Sequence, residues 1–232
     1  MLSTPQFSKG GRGIFIDTEE EMNWFISTLG SSIGKKLMMA VTGLGFVGFL
    51  TAHLIGNLTL YGGQGLFTSY VEHLHALGPL ITVAELGLLS FAVIHIVIGT
   101  LLFYQNLIAR PVRYKVKKNA GGRTIGSATQ SYTGFIILAF VILHLLDFHF
   151  AEHTNETLFR LVFTTLASPL YMITYVVAMI VVAVHVSHGF WSLFQTLGAN
   201  HPKYMPIIQK LGIAVSLVFG VGFGFIPIFI FL

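Results

Sequence analysis

Five stretches of this chain are apolar for long enough to cross a bilayer, and a chain with five such stretches has few folds open to it. They cover residues 37–61, 80–108, 132–150, 169–197 and 211–232. In hydrocarbon every backbone N–H and C=O must be satisfied within the protein, which leaves helices or a closed barrel. Each stretch meets the roughly 20 residues that a spanning helix needs, and no strand pattern competes with them. The composition agrees, with 54% hydrophobic and 9% charged residues against the ~25% charged of a soluble domain. The expected fold class is an all-α membrane protein with five transmembrane helices.

Residues 1–36 read as a cytoplasmic N-terminal arm, polar at first and then carrying Phe15, Ile16, Trp24, Phe25 and Ile26 around an acidic cluster; it reads either as ending in a short helix lying at the interface or as a solvated tail. Residues 37–232 form the transmembrane domain. Orientation follows from Lys and Arg. With the amino terminus inside, the arm, the segment between the second and third spans, and the segment between the fourth and fifth hold 12 of the 13 basic residues. Only Arg160 falls outside, an asymmetry that the positive-inside rule reads as topology. The net charge of +4 is thereby explained without nucleic acid, and the fifth span ends at the outer face. The chain has no cysteine, which removes disulfides, thiolate metal sites, iron–sulfur ligation and covalent haem attachment. A metal here would have to be held by histidine.

His53, His95, His144 and His185 each lie in a different one of the first four spans. An ionisable residue at membrane depth is expensive and marks function by default. Counted from the outer ends of their spans, His53 and His144 lie 8 and 6 residues deep, and His95 and His185 lie 15 and 16. The offset between the two pairs is roughly 13 Å along the membrane normal, about what two stacked haems need, each clamped between two imidazoles. The first four helices are accordingly expected to form a haem-binding four-helix bundle. A flat macrocycle between helices needs small neighbours, and Gly99 and Gly189 follow His95 and His185 by four residues, on nearly the same helix face, while Gly56 follows His53 by three. His188, three residues after His185, competes with it for the same face. His73, His75, His153 and His201 read as loop or boundary residues, and His149 as the outer end of the third span.

The chain resembles the cytochrome b membrane-anchor subunit of succinate:quinone oxidoreductase (respiratory complex II, succinate dehydrogenase or fumarate reductase) of the five-helix, two-haem type. The stretches that carry the resemblance are MMAVTGLGFVGFLTAHLIGNL around His53, ELGLLSFAVIHIVIGTLLF around His95, ARPVRYKVKKNAGGRT over residues 109–124, SYTGFIILAFVILHLLDF around His144, and HVSHGFWS from His185. The resemblance implies one axial ligand from each of the first four helices, with His53 and His144 on the outer haem b and His95 and His185 on the inner one. In that family the fourth ligand precedes a glycine by four residues and an aromatic by six, which selects His185, with Gly189 and Trp191, over His188. It also implies partners, a flavoprotein subunit and an iron–sulfur subunit. Electrons from them would pass through the haems to a membrane quinone, expected to be menaquinone, in a bacterial cytoplasmic membrane.

The quinone needs a proton donor or acceptor near a haem. Glu72, with His73 and His75, precedes the second span on the outer side, and Asp147 lies three residues beyond His144; on the inner side Gln130, Ser131 and Tyr132 open the third span, with His201 and Lys203 near the fifth. Glu72 is the leading expectation, because a second haem has a reason to carry electrons to the outer face. Two other readings remain open at the level of sequence. One is a di-haem anchor of a hydrogenase, formate dehydrogenase or nitrate reductase. The other is a proton-coupled transporter using the histidines as relays, although Glu85 and Asp147 are the only carboxylates within the spans.

Overall fold

The computed structural model describes residues 18–109, 124–152 and 154–232. Residues 1–17, the basic segment 110–123 and His153 lie outside the described residues. All described regular structure is helical. The chain divides into two compact units, Met1–Lys35 and Lys36–Leu232.

In the first unit, helix α1 runs Thr18–Gly30, with Trp24 and Ile26 exposed. The short helix of the first reading of the arm is therefore present. Ser31 follows it and caps the next helix, its Oγ accepting the Gly34 N–H at 3.0 Å, as a serine before the first turn should.

Five helices are long and apolar enough to span a bilayer: α2 (Ser32–Leu58), α4 (Pro79–Ile108), α5 (Ile125–His144), α7 (Pro169–Thr196) and α8 (Met205–Phe231). Each overlaps one of the five apolar stretches, but α2, α5 and α8 start five or more residues earlier than hydropathy places them. Helix α5 begins at Ile125 rather than residue 132 because Thr124 and Ser127 form a reciprocal capping box, Ser127 N–H to Thr124 Oγ1 at 3.1 Å and Thr124 N–H to Ser127 Oγ at 2.9 Å. Polar residues end an apolar window without ending a helix. Proline opens α4 and α7 at the first turn, where its missing N–H costs nothing. Gly198, at φ +89°, ends α7, and Ala199 N–H reaches back to Phe194 O at 2.9 Å.

The two segments between spans on the outer side, residues 62–79 and 151–168, are given no regular structure by the sequence reading. Both are largely helical, as α3 (Gly63–His75) and α6 (Asn155–Leu166). They pack together over one end of the bundle through Phe67, Val71 and Leu166, joined by Leu60, Tyr175 and Ile226. His73 and His75 thus sit in the last turn of α3, and the His75 ring bonds Asn155 Oδ1 at 2.8 Å, tying the two cap helices.

Helix α8, which carries no histidine, packs against α7 more extensively than any other pair of the described helices does. Gly212, Ser216, Gly220 and Gly224 recur every four residues, the small-residue spacing that lets membrane helices approach. A Cβ at Gly220 would stand 2.9 Å from Ala183 Cβ, and one at Gly212 3.3 Å from the Ser187 carbonyl. Helix α7 also packs on α5, and Leu54 of α2 joins Val182, Val186 and Phe219 in a shared core. Helix α4 has no buried residue and meets its neighbours through single side chains, including Phe91 against Gly45 and Phe103 against Phe135.

Candidate functional site: two pairs of histidines

The four span histidines come from α2, α4, α5 and α7, and the fold sorts them into two levels. Nearer the α3–α6 cap, the rings of His53 and His144 lie 5.9 Å apart, centroid to centroid, with planes at 86°. Two imidazoles bound at ~2.0 Å to one metal from opposite sides have centroids roughly 6 Å apart. The aromatic walls are Phe49, stacked on His53 at 5.2 Å, Phe223 at 5.6 Å, and Phe140, Phe148 and Tyr175 around His144.

Farther from the cap, His185 lies within electrostatic range of His95. Each of these two rings is held at Nδ1 by a threonine of a neighbouring helix: Thr42 Oγ1 on α2 is 2.9 Å from His95, and Thr133 Oγ1 on α5 is 3.0 Å from His185. Next to each threonine a glycine faces the same ring, so that a Cβ at Gly43 would stand 3.9 Å from His95 Cε1 and one at Gly134 3.5 Å from His185 Cε1. Thr42 and Thr133 were missed by sequence reasoning, which looked within the spans for ionisable residues and glycines and gave threonines no role. The structure makes them two of the three buried polar residues among those described. The levels are set by 11 residues along α2, from Thr42 to His53, and 11 along α5, from Thr133 to His144. That is about 16 Å of helix, somewhat more than the depth count gave.

Other expected residues are sorted by their contacts. Gly99 and Gly189 each have one side chain at ordinary contact distance from a hypothetical Cβ, Met39 at 3.7 Å and Gln130 at 3.6 Å. Gly56 instead admits Tyr70 of α3, whose ring a Cβ would strike. His188 turns its Cβ toward Gly126 and its ring edge-on to Trp191 at 4.8 Å. Gln130 Nε2 is 3.3 Å from His185 Nε2. Tyr132 is exposed and meets Phe103 edge-on, and His201 accepts the Lys203 N–H at 3.2 Å.

At the cap, Glu72 lines an open groove on α3 with Gln64, Gly65, Thr68 and Ser69, and Thr68 Oγ1 is buried without a hydrogen-bond partner. His73 donates from Nδ1 to Ser69 O at 2.6 Å. Asp147 lies in a π-helical turn, Leu145–His149, directly after His144; such turns concentrate at functional sites. Glu85 is exposed on α4.

The donor set fits haem. Among the described residues no group of three or more His, Cys, Asp or Glu converges as a non-haem metal centre would, whereas a six-coordinate haem asks for two imidazoles per iron. The buried His144 Nδ1 lacks a hydrogen-bond partner, and glycines flank the far-level rings. Compared with known proteins, the chain matches no protein-family model, no curated protein and no solved structure.

Proposed function

We propose that the chain is the di-haem cytochrome b anchor of a succinate:quinone oxidoreductase, passing electrons between flavin and iron–sulfur subunits and a membrane quinone. The observation that carries this reading is the sorting of four helix-borne histidines into two pairs at two levels. His53 and His144 would hold the outer haem b, His95 and His185 the inner one, with Gly99 and Gly189 leaving room beside the inner ligands. Haem, when bound, supplies one-electron storage at a potential set by ligation and surroundings. The chain's own part is to present paired imidazoles, exclude water with aromatic walls, and fix the distance between levels. Chemistry on the dicarboxylate belongs to the flavoprotein subunit.

Glu72 is assigned the proton transfer at an outer quinone site. Its groove carries polar side chains of α3, and α3 meets α2 where Tyr70 lies against Gly56, three residues past His53. The reading places the protein in a bacterial cytoplasmic membrane with its amino terminus inside, supported by the 12 to 1 distribution of basic residues. The arm and the basic segment 110–123 are assigned to dock the iron–sulfur subunit, whose acidic surface they would steer.

A reduced-minus-oxidised visible spectrum of the purified complex tests the reading. Two b-type species and co-purifying flavoprotein and iron–sulfur subunits are expected. A preparation without haem bands would overturn it in favour of a histidine relay, and haem bands with a different dehydrogenase would reassign the partner.

A further inference from the structure

Helices α2 and α5 carry the same pattern, Thr-Gly followed by nine residues and then His: Thr42, Gly43 and His53 in one, Thr133, Gly134 and His144 in the other. Eleven residues are three turns of helix plus about 20°, so threonine and histidine lie on one face. Each of these helices therefore serves both levels. It presents a histidine at one level and, three turns away, a hydroxyl to a histidine of another helix at the other level: Thr42 to His95 of α4, and Thr133 to His185 of α7.

The hydroxyl has a single proton, and in both cases a carbonyl of the preceding turn is placed to take it. Thr42 Oγ1 is 2.7 Å from Met38 O, and Thr133 Oγ1 is 3.0 Å from Gln130 O and 3.1 Å from Thr129 O. With its proton given to the helix, each threonine oxygen faces the ring as an acceptor, and the ring nitrogen opposite must donate. The tautomer follows. His95 and His185 carry their proton on Nδ1 and keep Nε2 as the acceptor, which at His185 faces the Gln130 amide nitrogen at 3.3 Å. Both threonines are buried, with 3% and 7% of their surface exposed, so water does not compete for these bonds. At the other level the arrangement is not repeated, since the buried His144 Nδ1 has no partner.

We infer that Thr42 and Thr133 are positioning residues that lock His95 and His185 as Nδ1–H imidazoles, fix the angle of each ring, and lower the potential of the inner haem. The inference rests on the two-haem reading for its redox part. A hydrogen bond accepted from the far nitrogen of a metal-bound imidazole raises the ligand's basicity. A more basic ligand favours the ferric state. Removing the acceptor should shift the ferric–ferrous balance toward ferrous by about tenfold, a rise of about 59 mV in a one-electron couple.

The experiment uses Thr42→Val, Thr133→Val and the corresponding serine variants in the intact complex. It combines redox titration of each haem, low-temperature EPR of the ferric haems, and 15N NMR of histidine-labelled protein, which reports the ring tautomer directly. Each valine variant is expected to raise the potential of the haem held by His95 and His185 and to change its EPR signal, leaving the other haem unmoved. Serine should restore both. If valine abolishes that haem, rescue by serine with wild-type potential supports the inference, whereas failure of serine to rescue overturns it. Unchanged inner-haem potential and EPR signal in both valine variants, or a change in the other haem instead, also overturn it. Should the wild-type complex hold no haem, the two-haem reading falls, and the nitrogen spectra still decide the locking. Nδ1–H rings at His95 and His185 that lose this preference in the valine variants sustain it, and Nε2–H rings in the wild type overturn it.

Discussion

The Tyr175 hydroxyl donates to Asp147 Oδ2 at 2.8 Å, joining α7 to the π-helical turn that follows His144. Asp147 was singled out in sequence as a possible servant of the outer quinone, but a carboxylate in this bond is also a clamp. It holds the turn against a ring that itself packs 6.0 Å from His144. Hydrogen bonds to charged groups contribute about 1.5–3 kcal/mol, and leaving a partly buried carboxylate without its donor costs at the upper end. Tyr175→Phe should therefore lower stability by about 2 kcal/mol and broaden the spectrum of the haem proposed at His144, whereas Tyr175→Phe combined with Asp147→Leu should recover part of the loss. Thermal unfolding of the detergent-solubilised complex measures the first effect and the visible spectrum the second.

If the four span histidines hold two haems as proposed, removing them should separate the two levels. His53→Ala or His144→Ala is expected to delete one b-type species and His95→Ala or His185→Ala the other, while His188→Ala keeps both. Haem content per chain and the reduced-minus-oxidised spectrum are the measurements. One haem in the wild type, or an essential His188, would break the pairing.

Glu72→Gln tests the proposed outer quinone site. Proton transfer by a positioned side chain contributes about 10²–10⁴-fold, so quinone-linked turnover should fall by about 10² or more. Haem content and succinate oxidation with an artificial acceptor should persist. Unchanged quinone turnover removes Glu72 from the site, and an inhibitor located only beside Tyr132 and Gln130 removes the outer site itself.

The seam between α7 and α8 predicts a steric effect without chemistry. Gly220→Leu would drive a side chain into Ala183, where even a Cβ stands at 2.9 Å, and should destabilise the protein by about 1–3 kcal/mol. Gly87→Leu, on α4 with no side chain or neighbouring helix within 4 Å of its Cβ position, should not destabilise the protein, since a helix-interior glycine itself costs roughly 0.5–1 kcal/mol. A stability assay that ranks the two variants equally would show that the seam is not tight.

Much of the fold was legible because lipid enforces it. Five apolar stretches had to become helices, and the membrane fixed their length, so class, span number and the layering of histidines by depth followed from counting. The caps were not visible to the same reasoning. Residues 62–79 and 151–168 look like polar loops because α3 and α6 bury only one side, Phe67 and Val71 on one and Leu166 on the other, and such short amphipathic helices give no continuous apolar run. Helix α5 likewise starts seven residues before its apolar stretch because Thr124 and Ser127 cap it.

The sequence by itself determined that this chain is built of membrane-crossing helices and that four of them each bring one histidine to membrane depth. Only the tertiary structure decided what stands beside those rings. Helix rotation about its own axis is invisible to hydropathy, and it is rotation that aims Thr42 at His95 and Thr133 at His185 and turns Gly56 toward Tyr70. The eleven-residue step from threonine to histidine lay in the sequence twice, but a threonine in an apolar helix ordinarily bonds its own preceding turn. Its second bond, to a histidine on another helix, exists only once the helices are packed.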